Sequence, residues 1–389
     1  MIACGSLIKN WLLCSCLLAA VQCCCGAVAL VDLEGDLSAV RDEYGLPALA
    51  AGVIRDGRLH AAGVVGVRKS GSDVRVEPND PFHVGSCTKA MTASLLCILA
   101  EQGRLHWDTP LEEYFPELGE KMHPDYRQVT LVHLLSHRAG APPMTDGFAP
   151  VSADELREIR ALSPRAQRRR VVEIFLSHPP ACRPGEKQFY SNAGFVLAGA
   201  IAEEVADEDY ESLLRRLLFE PLGMRSAGFG AMGTEGRLDA PWQHRMEDGK
   251  VVPINPGPRS DNPPFITPAG RVHCSIFDWA KYVQCVLAAA RGEDGLLPPV
   301  QMRPLKEQPF DGKYALGWGI HERAWAGGKA LSHAGSNRMN YSVVWIAPAR
   351  NFAVLAVTNR GGDDAPKALD TVCSRMILRF LEDDHGQGH

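Results

Sequence analysis

The stretch FHVGSCTKAMTASLLCILAEQGR, residues 82–104, carries the reading of this chain. From Ser86 onward its apolar residues fall at helical spacing. Met91, Leu95, Ile98 and Leu99 share one stripe, and Gly103 ends it. Ser86 stands at the helix start behind Gly85, and Lys89 lies one turn on, on the same face. A helix N-terminus offers unpaired N–H groups and a partial positive charge, which favour an alkoxide and then an oxyanion. A serine hydroxyl is a weak nucleophile and needs a base within reach, a task a lysine can take once burial lowers its pKa. The plainer reading is an N-capping serine and a solvated lysine. Ser-x-x-Lys also occurs at Ser6 and Lys9, where no catalysis is expected, so the pattern alone decides nothing.

Upstream, ALAAGVIRDGRLHAAGVVG, residues 48–66, reads as two strands around an Asp-Gly turn. Downstream, residues 129–138 and 193–217 read as helices. VVPINPGPRSDNPPFITPAG, residues 251–270, holds six prolines and reads as an extended surface loop. A helix follows at about 275–291, then strand-like runs at 329–335, 341–347 and 352–358, with a tight turn at Asn351. A closing helix covers 365–382. Strands, a long helical middle, strands and a helix imply an α+β fold. Its antiparallel sheet comes from both chain ends (about 30–84 and 292–389), with helices flanking it and an all-helical region, about 85–291, inserted.

The 389 residues are 46% hydrophobic and 22% charged, a globular composition with length for a sizeable core. A formal net charge of -5 gives no sign of a nucleic-acid partner. The one dense basic run, RAQRRRVVEIF at 165–175, reads as a solvated helix face. At the N-terminus, Lys9 is the only charge before Asp32, residues 11–31 are mostly apolar, and AVA at 27–29 fits a signal-peptidase site. The expectation is a signal peptide over 1–29, cleaved after Ala29, followed by one domain over 30–389 that is periplasmic or secreted. The membrane enters only through an uncleaved signal anchor or a lipid anchor at Cys23, Cys24 or Cys25. Six of the twelve cysteines precede that site. The remaining six contain no Cys-x-x-Cys pair and imply no specific bridge.

Two further segments carry polar groups of the right kind. In FYSNAGF, Tyr190 and Asn192 sit at the start of a helix. A tyrosine near a lysine cation can have its phenol pKa lowered and so share a proton with serine, and an asparagine amide can grip a substrate carbonyl. In LSHAGSN, His333 and Gly335 lie on a late strand whose small residues let a substrate backbone lie along the edge. The N–H groups of Ser86 and Ser336 would then form an oxyanion hole. Packed aromatic, cap and strand residues are the plain alternatives.

Taken in order, these segments resemble the serine β-lactamase-like hydrolases of the class C type, over roughly residues 40–380. That family includes β-lactamases, DD-peptidases, D-aminopeptidases and esterases. GRLHWDTPLEEYFPEL, VTLVHLLSHRAGAPP, RPGEKQFYSNAGFVLAGAIAEEV, LLFEPLGMRSAGF, YALGWGI and LSHAGSNRMNYSVVWIAPARNFAVLAVTN look like its successive blocks. The resemblance implies a β-lactamase/transpeptidase-like fold and an acyl-enzyme on Ser86. Lys89 and Tyr190 would share proton traffic, while Asn192, His333, Gly335 and Ser336 would bind substrate. No cofactor or metal is implied. The implied partner is a small-molecule ester, a β-lactam or a cell-wall D-amino-acid peptide. His333 departs from the lysine that many members carry in Lys-Thr-Gly, which favours esterase or D-amino-acid peptidase over β-lactamase. Arg338 is a second possible cation for a substrate carboxylate, and equally a solvated strand-end arginine.

Other patterns fall away. GFGAMG at 228–233 follows no strand signal and opens no helix, so it is not a dinucleotide loop. There is no Gly-x-Ser-x-Gly elbow and no His-Glu-x-x-His. His137 reads as a packed helix-end residue. The rival to hydrolysis is a catalytically silent binding or scaffold protein on the same fold.

Overall fold

In the computed structural model, which describes residues 30–307, 309–310 and 313–382, the two ends of the chain meet in one eight-stranded sheet. Its order is Val31–Asp32, Arg58–Gly66, Ala48–Arg55, Phe352–Thr358, Tyr341–Ala347, Gly328–Ser336, Trp318–Arg323 and Tyr314–Ala315. Every pairing is antiparallel except that of Val31–Asp32 with Arg58–Gly66. The signal-peptide reading of residues 1–29 lies outside the described residues.

The hairpin read at 48–66 forms, with Asp56 and Gly57 both at positive φ in its turn. Period-two alternation divides the central strands between two cores. Ala48, Ala50 and Ile54 face one, and Leu49, Ala51 and Val53 the other. Phe352–Thr358 divides the same way: Ala353, Leu355 and Val357 against Phe352, Val354 and Ala356. The helix Ile276–Arg291 covers the first face, and Glu34–Tyr44 with Ala365–Ile377 covers the second. Burial on both faces explains why these strands read as unbroken apolar runs. Among the described residues no helix is long and apolar enough to cross a membrane.

The inserted region is mostly helical, and it also holds strands that the sequence did not signal. Phe82–His83, Val272–Cys274 and Gly228–Phe229 form a three-stranded sheet, and Gln243–Glu247 pairs with Lys250–Ile254. The helix expected over 193–217 breaks after Asn192–Ala206, where Asp207 turns left-handed, and resumes at Tyr210–Leu214. The extended surface loop expected at 251–270 is corrected. Lys250–Ile254 is a strand, and residues 264–270 form two short helical turns, of which 265–270 are buried. Pro264 and Pro268 sit in the first turns of those helices, where a missing N–H costs nothing.

The solvated-face reading of the basic run is also corrected in part. Arg168, on the helix Pro164–Ser177, is fully buried. Its guanidinium holds Glu203 at 2.5 and 3.1 Å and Glu211 at 2.7 and 2.9 Å, and it donates to the Pro264 carbonyl at 3.3 Å. Glu203 is itself almost fully buried. Losing one partner of a buried pair leaves an uncompensated charge, at a cost of about 3–5 kcal/mol. Arg168→Met is therefore expected to lower the urea midpoint sharply with little change in slope. A midpoint equal to wild type would show that Glu203 finds another partner or a proton.

Candidate active site

Ser86 lies in the 3-10 turn Gly85–Cys87, which leads directly into the helix Thr88–Glu101. Thr88 Oγ1 donates to the Gly85 carbonyl at 2.7 Å and tightens this entry. The turn packs against the end of the strand Gly328–Ser336. Gly85 has φ of 51°, and a Cβ there would stand 2.5 Å from the Ser336 nitrogen. A Cβ at Gly335 would stand 2.7 Å from the Ser86 nitrogen. Only glycine at both positions lets the two segments pack this closely. Residues 333–336 pair with Tyr341–Ala347 on one side, while pairing with Trp318–Arg323 stops at Ser332. The strand therefore presents a free edge beside Ser86.

Lys89 is fully buried. Its Nζ lies 3.1 Å from Ser86 Oγ, 2.7 Å from Asn192 Oδ1 and 2.6 Å from the Ala269 carbonyl. Two of these partners can only accept. The third, the hydroxyl, can also donate. A neutral amine has two N–H bonds and one lone pair. It fits this cage with its hydrogens on Asn192 and Ala269 and its lone pair toward Ser86. Burial favours that form, bringing the Lys89 pKa down to about 7. The cage is anchored from behind. Thr92 Oγ1 donates to the Pro268 carbonyl at 2.6 Å and meets the Tyr210 hydroxyl at 2.7 Å.

Tyr190 and Asn192 flank Ser191, which caps the helix Asn192–Ala206 by accepting from the Gly194 N–H at 3.0 Å. The N-cap is thus Ser191, not Asn192. Asn192 Nδ2 donates to the Met144 carbonyl at 2.9 Å, which turns its Oδ1 toward Lys89. The Tyr190 phenol lies close enough to the Ser86 hydroxyl to feel it, and its ring centroid lies 4.9 Å from Lys89 Nζ. The lowered phenol pKa expected from a nearby cation is corrected. Burial pushes Tyr190 up to about 12, against a smaller pull from Ser86. Solvent tempers that push, since the residue is 37% exposed. The reason for the reversal is that the cost of burying a phenolate outweighs the help its neighbours give. With Tyr190 protonated, the phenol can donate toward Ser86 Oγ while the serine hydroxyl donates to Lys89.

His333 is buried with both ring nitrogens engaged. Nδ1 lies 2.7 Å from the Ala334 carbonyl and Nε2 lies 2.9 Å from the Tyr314 hydroxyl. Burial and the neighbouring Lys89 bring its pKa down to about 3, so it is a neutral imidazole that donates from Nδ1. It does not replace a lysine cation. Ala334 and Ser336 alternate with it onto the exposed edge. Arg338 lies beyond the strand at positive φ and pairs with Asp146, both largely exposed. Sequence reasoning missed the role of Tyr314, in the YALGWGI block, while His137 is the packed helix-end residue it reads as. The His137 ring is packed at 4.3 Å from Tyr190 and 4.5 Å from Tyr314 (centroid distances), and its Nδ1 accepts from the Ser191 N–H. Cys87 is buried and points to Ser342 Oγ at 3.4 Å. Among the described residues no group of three or more His, Cys, Asp or Glu side chains is placed to hold a metal ion.

This sheet flanked by helices, with a serine and a buried lysine at the foot of one helix, defines a class: the β-lactamases and penicillin-binding proteins. The chain belongs to the Beta-lactamase family, whose model matches residues 33–372. It is similar to an unguisins hydrolase, ungD, of Aspergillus violaceofuscus, at 25% identity over 84% of this chain and 61% of that protein. It thus spans less than two thirds of that relative's length. It is also similar to penicillin-binding protein 4 of Amycolatopsis lactamdurans, at 27% identity over 83% of each chain. The octameric penicillin-binding protein homologue from Pyrococcus abyssi shares its fold, with a TM-score of 0.69 at 24% identity over 89% of this chain and 79% of that one. Membership of this family supports serine-hydrolase chemistry in general terms.

Proposed function

We propose that the protein is an exported serine hydrolase working through an acyl-enzyme on Ser86, with esters or D-amino-acid peptides as substrates in preference to β-lactams. The observation that carries this is the Lys89 cage: a buried amine whose one free direction faces the Ser86 hydroxyl at 3.1 Å.

In the proposed sequence, neutral Lys89 takes the Ser86 proton as Oγ bonds to the substrate carbonyl carbon. The carbonyl electrons move to oxygen, which settles between the Ser86 and Ser336 N–H groups. Collapse breaks the bond to the leaving group. Tyr190, beside Ser86, hands that group a proton and is restored by the proton held on Lys89. Water then reverses the steps and frees the acid. Asn192 orients both Lys89 and the substrate carbonyl.

The substrate preference rests on His333 and Arg338. A neutral, doubly engaged imidazole offers no cation to a β-lactam carboxylate, and the Arg338 guanidinium already has Asp146. An uncharged acyl group, or a peptide lying along the 333–336 edge, asks for neither.

Intact mass after exposure to a fluorophosphonate tests this reading, followed by turnover of an aryl ester, a D-aminoacyl peptide and a chromogenic cephalosporin. The expected result is one stoichiometric adduct and faster turnover of ester or D-peptide than of the cephalosporin. The same spectrum of protein purified after export reads the mature start, expected at Leu30. No adduct on folded protein would move the reading to a silent binding protein. Fastest turnover of the cephalosporin would overturn the preference.

A further inference from the structure

Behind the Ser86 turn lies a carboxylate that the reaction above does not use. Asp261 belongs to the proline-rich segment, yet its side chain is only 2% exposed. Each of its oxygens reaches a different wall of the site. Oδ2 lies 3.1 Å from Nε2 of His83, a residue with no exposed surface. His83 Nδ1 in turn accepts the Gly85 N–H at 3.1 Å. That acceptor role places the imidazole proton on Nε2, facing Asp261. On the other side, Asn337 Nδ2 donates to Asp261 Oδ1 at 3.0 Å. Asn337 follows Ser336 directly, and it is tied further to Gln243 Oε1 at 2.6 Å and to Asn340 Nδ2 at 3.0 Å.

The two arms therefore end on the residues just before Ser86 and just after Ser336. Those are the segments held so close that a Cβ at Gly85 would stand 2.5 Å from the Ser336 nitrogen. We propose that Asp261, acting through His83 and Asn337, is a positioning residue that braces both halves of the oxyanion hole. This rests on the acyl-enzyme reading and deepens it.

The electrostatics are consistent with a fixed brace. Burial opposes the charge on Asp261, yet His83, Arg271 and Asn337 together bring its pKa down to about 2. It accepts from both arms throughout the working pH range. A bare carboxylate behind an oxyanion would repel it. Arg271 Nε, 3.4 Å from Oδ2, offsets that charge. Buried charge is a poor choice for packing alone, since an apolar residue of similar volume stabilises as well or better. A rigid acceptor with two oxygens pointing opposite ways has a use where two distant segments must be held in register. Oxyanion donors act only when aligned, and a displacement of about 1 Å costs up to about 100-fold in rate.

The second-order rate of fluorophosphonate labelling reads donor placement, because the phosphonyl oxygen occupies the oxyanion position. It should be measured for wild type, Asp261→Asn, Asn337→Ala, His83→Leu and His83→Asn, with a melting curve for each. Acylation kcat and KM for an ester should be measured alongside. We expect Asp261→Asn to label about 10- to 100-fold more slowly, with kcat falling and KM little changed. His83→Asn places an amide oxygen near the former Nδ1 and should keep more of the rate than His83→Leu. Wild-type labelling with every folded variant within about twofold of it would overturn the brace and leave the acyl-enzyme reading intact. A wild type that takes no label would overturn both. If the Asp261 variants do not fold, Asn337→Ala decides, since it cuts one arm at a half-buried turn. Slow labelling with a wild-type melting curve supports the brace, and a wild-type rate refutes it.

Discussion

Ser86→Ala removes the fluorophosphonate adduct completely and lowers hydrolysis of the best ester at least about 10⁴-fold, while the melting curve stays near that of wild type. The size follows from the chemistry. When a nucleophile is deleted, what survives is catalysis by the oxyanion donors and by binding, acting on water directly. The stability expectation follows from the position. Ser86 is half-buried in a 3-10 turn and makes no cap bond. Among the described residues its hydroxyl bonds Lys89 Nζ, with the Tyr190 phenol nearby. Alanine leaves two unpaired directions in a site that already admits solvent. Intact mass and initial rates check the first half of the expectation, and thermal melting checks the second. Labelling that persists in the alanine variant would place the reactive hydroxyl elsewhere and dissolve the proposed acyl-enzyme.

The parts of this fold that were legible in sequence are those whose signal is local. The strands expected at 329–335, 341–347 and 352–358 match Gly328–Ser336, Tyr341–Ala347 and Phe352–Thr358 to within a residue. They are apolar runs with a left-handed Asn351 between the last two. The helix Glu34–Tyr44 escaped because only Leu37 and Val40 of its eleven residues are buried, too few for a periodic stripe. Trp318–Arg323 escaped for a similar reason, since it is buried at only two positions. Arg168 looked solvated because its acids lie 35 and 43 residues further along. The site shows the same division. Ser86 and Lys89 are local and were found, whereas the groups that enclose Lys89 include partners 103 and 180 residues away in sequence, and it is the burial that lowers its pKa. Read in sequence as a solvated side chain, Lys89 is a cation, and Tyr190 then reads as its acidified neighbour. In the fold, burial brings Lys89 down to about 7 and pushes the Tyr190 phenol up. His333 followed the same course, as a possible cation in sequence and a neutral, doubly bonded ring in the fold.

Lys89→Met lowers the acylation rate about 10²- to 10⁴-fold, the range for a positioned base, and abolishes the wild-type pH dependence. Lys89 acts in its neutral form, and burial has brought its pKa from the usual 10.5 down to about 7. Below that value the protonated form dominates and has no lone pair for Ser86. Above it the neutral form dominates. The acylation kcat/KM of wild type should therefore rise about tenfold per pH unit below 7 and level off above it. A phenolate base at Tyr190 gives a different curve. With its pKa pushed up to about 12, the rate would keep climbing into alkaline solution with no plateau near neutrality. Tyr190→Phe should accordingly leave the limb near 7 in place and cost less than Lys89→Met, because it removes a proton carrier and not the base. Methionine keeps the length and burial of the lysine stem, but it leaves Asn192 Oδ1 and the Ala269 carbonyl without their donor, at a cost of about 1–3 kcal/mol. Melting curves taken at each pH separate that loss from the loss of chemistry. A Lys89→Met enzyme that keeps the wild-type limb would transfer the base to another group. A Tyr190→Phe enzyme that loses the limb would identify that group as the phenol, held at a lower pKa than its burial implies.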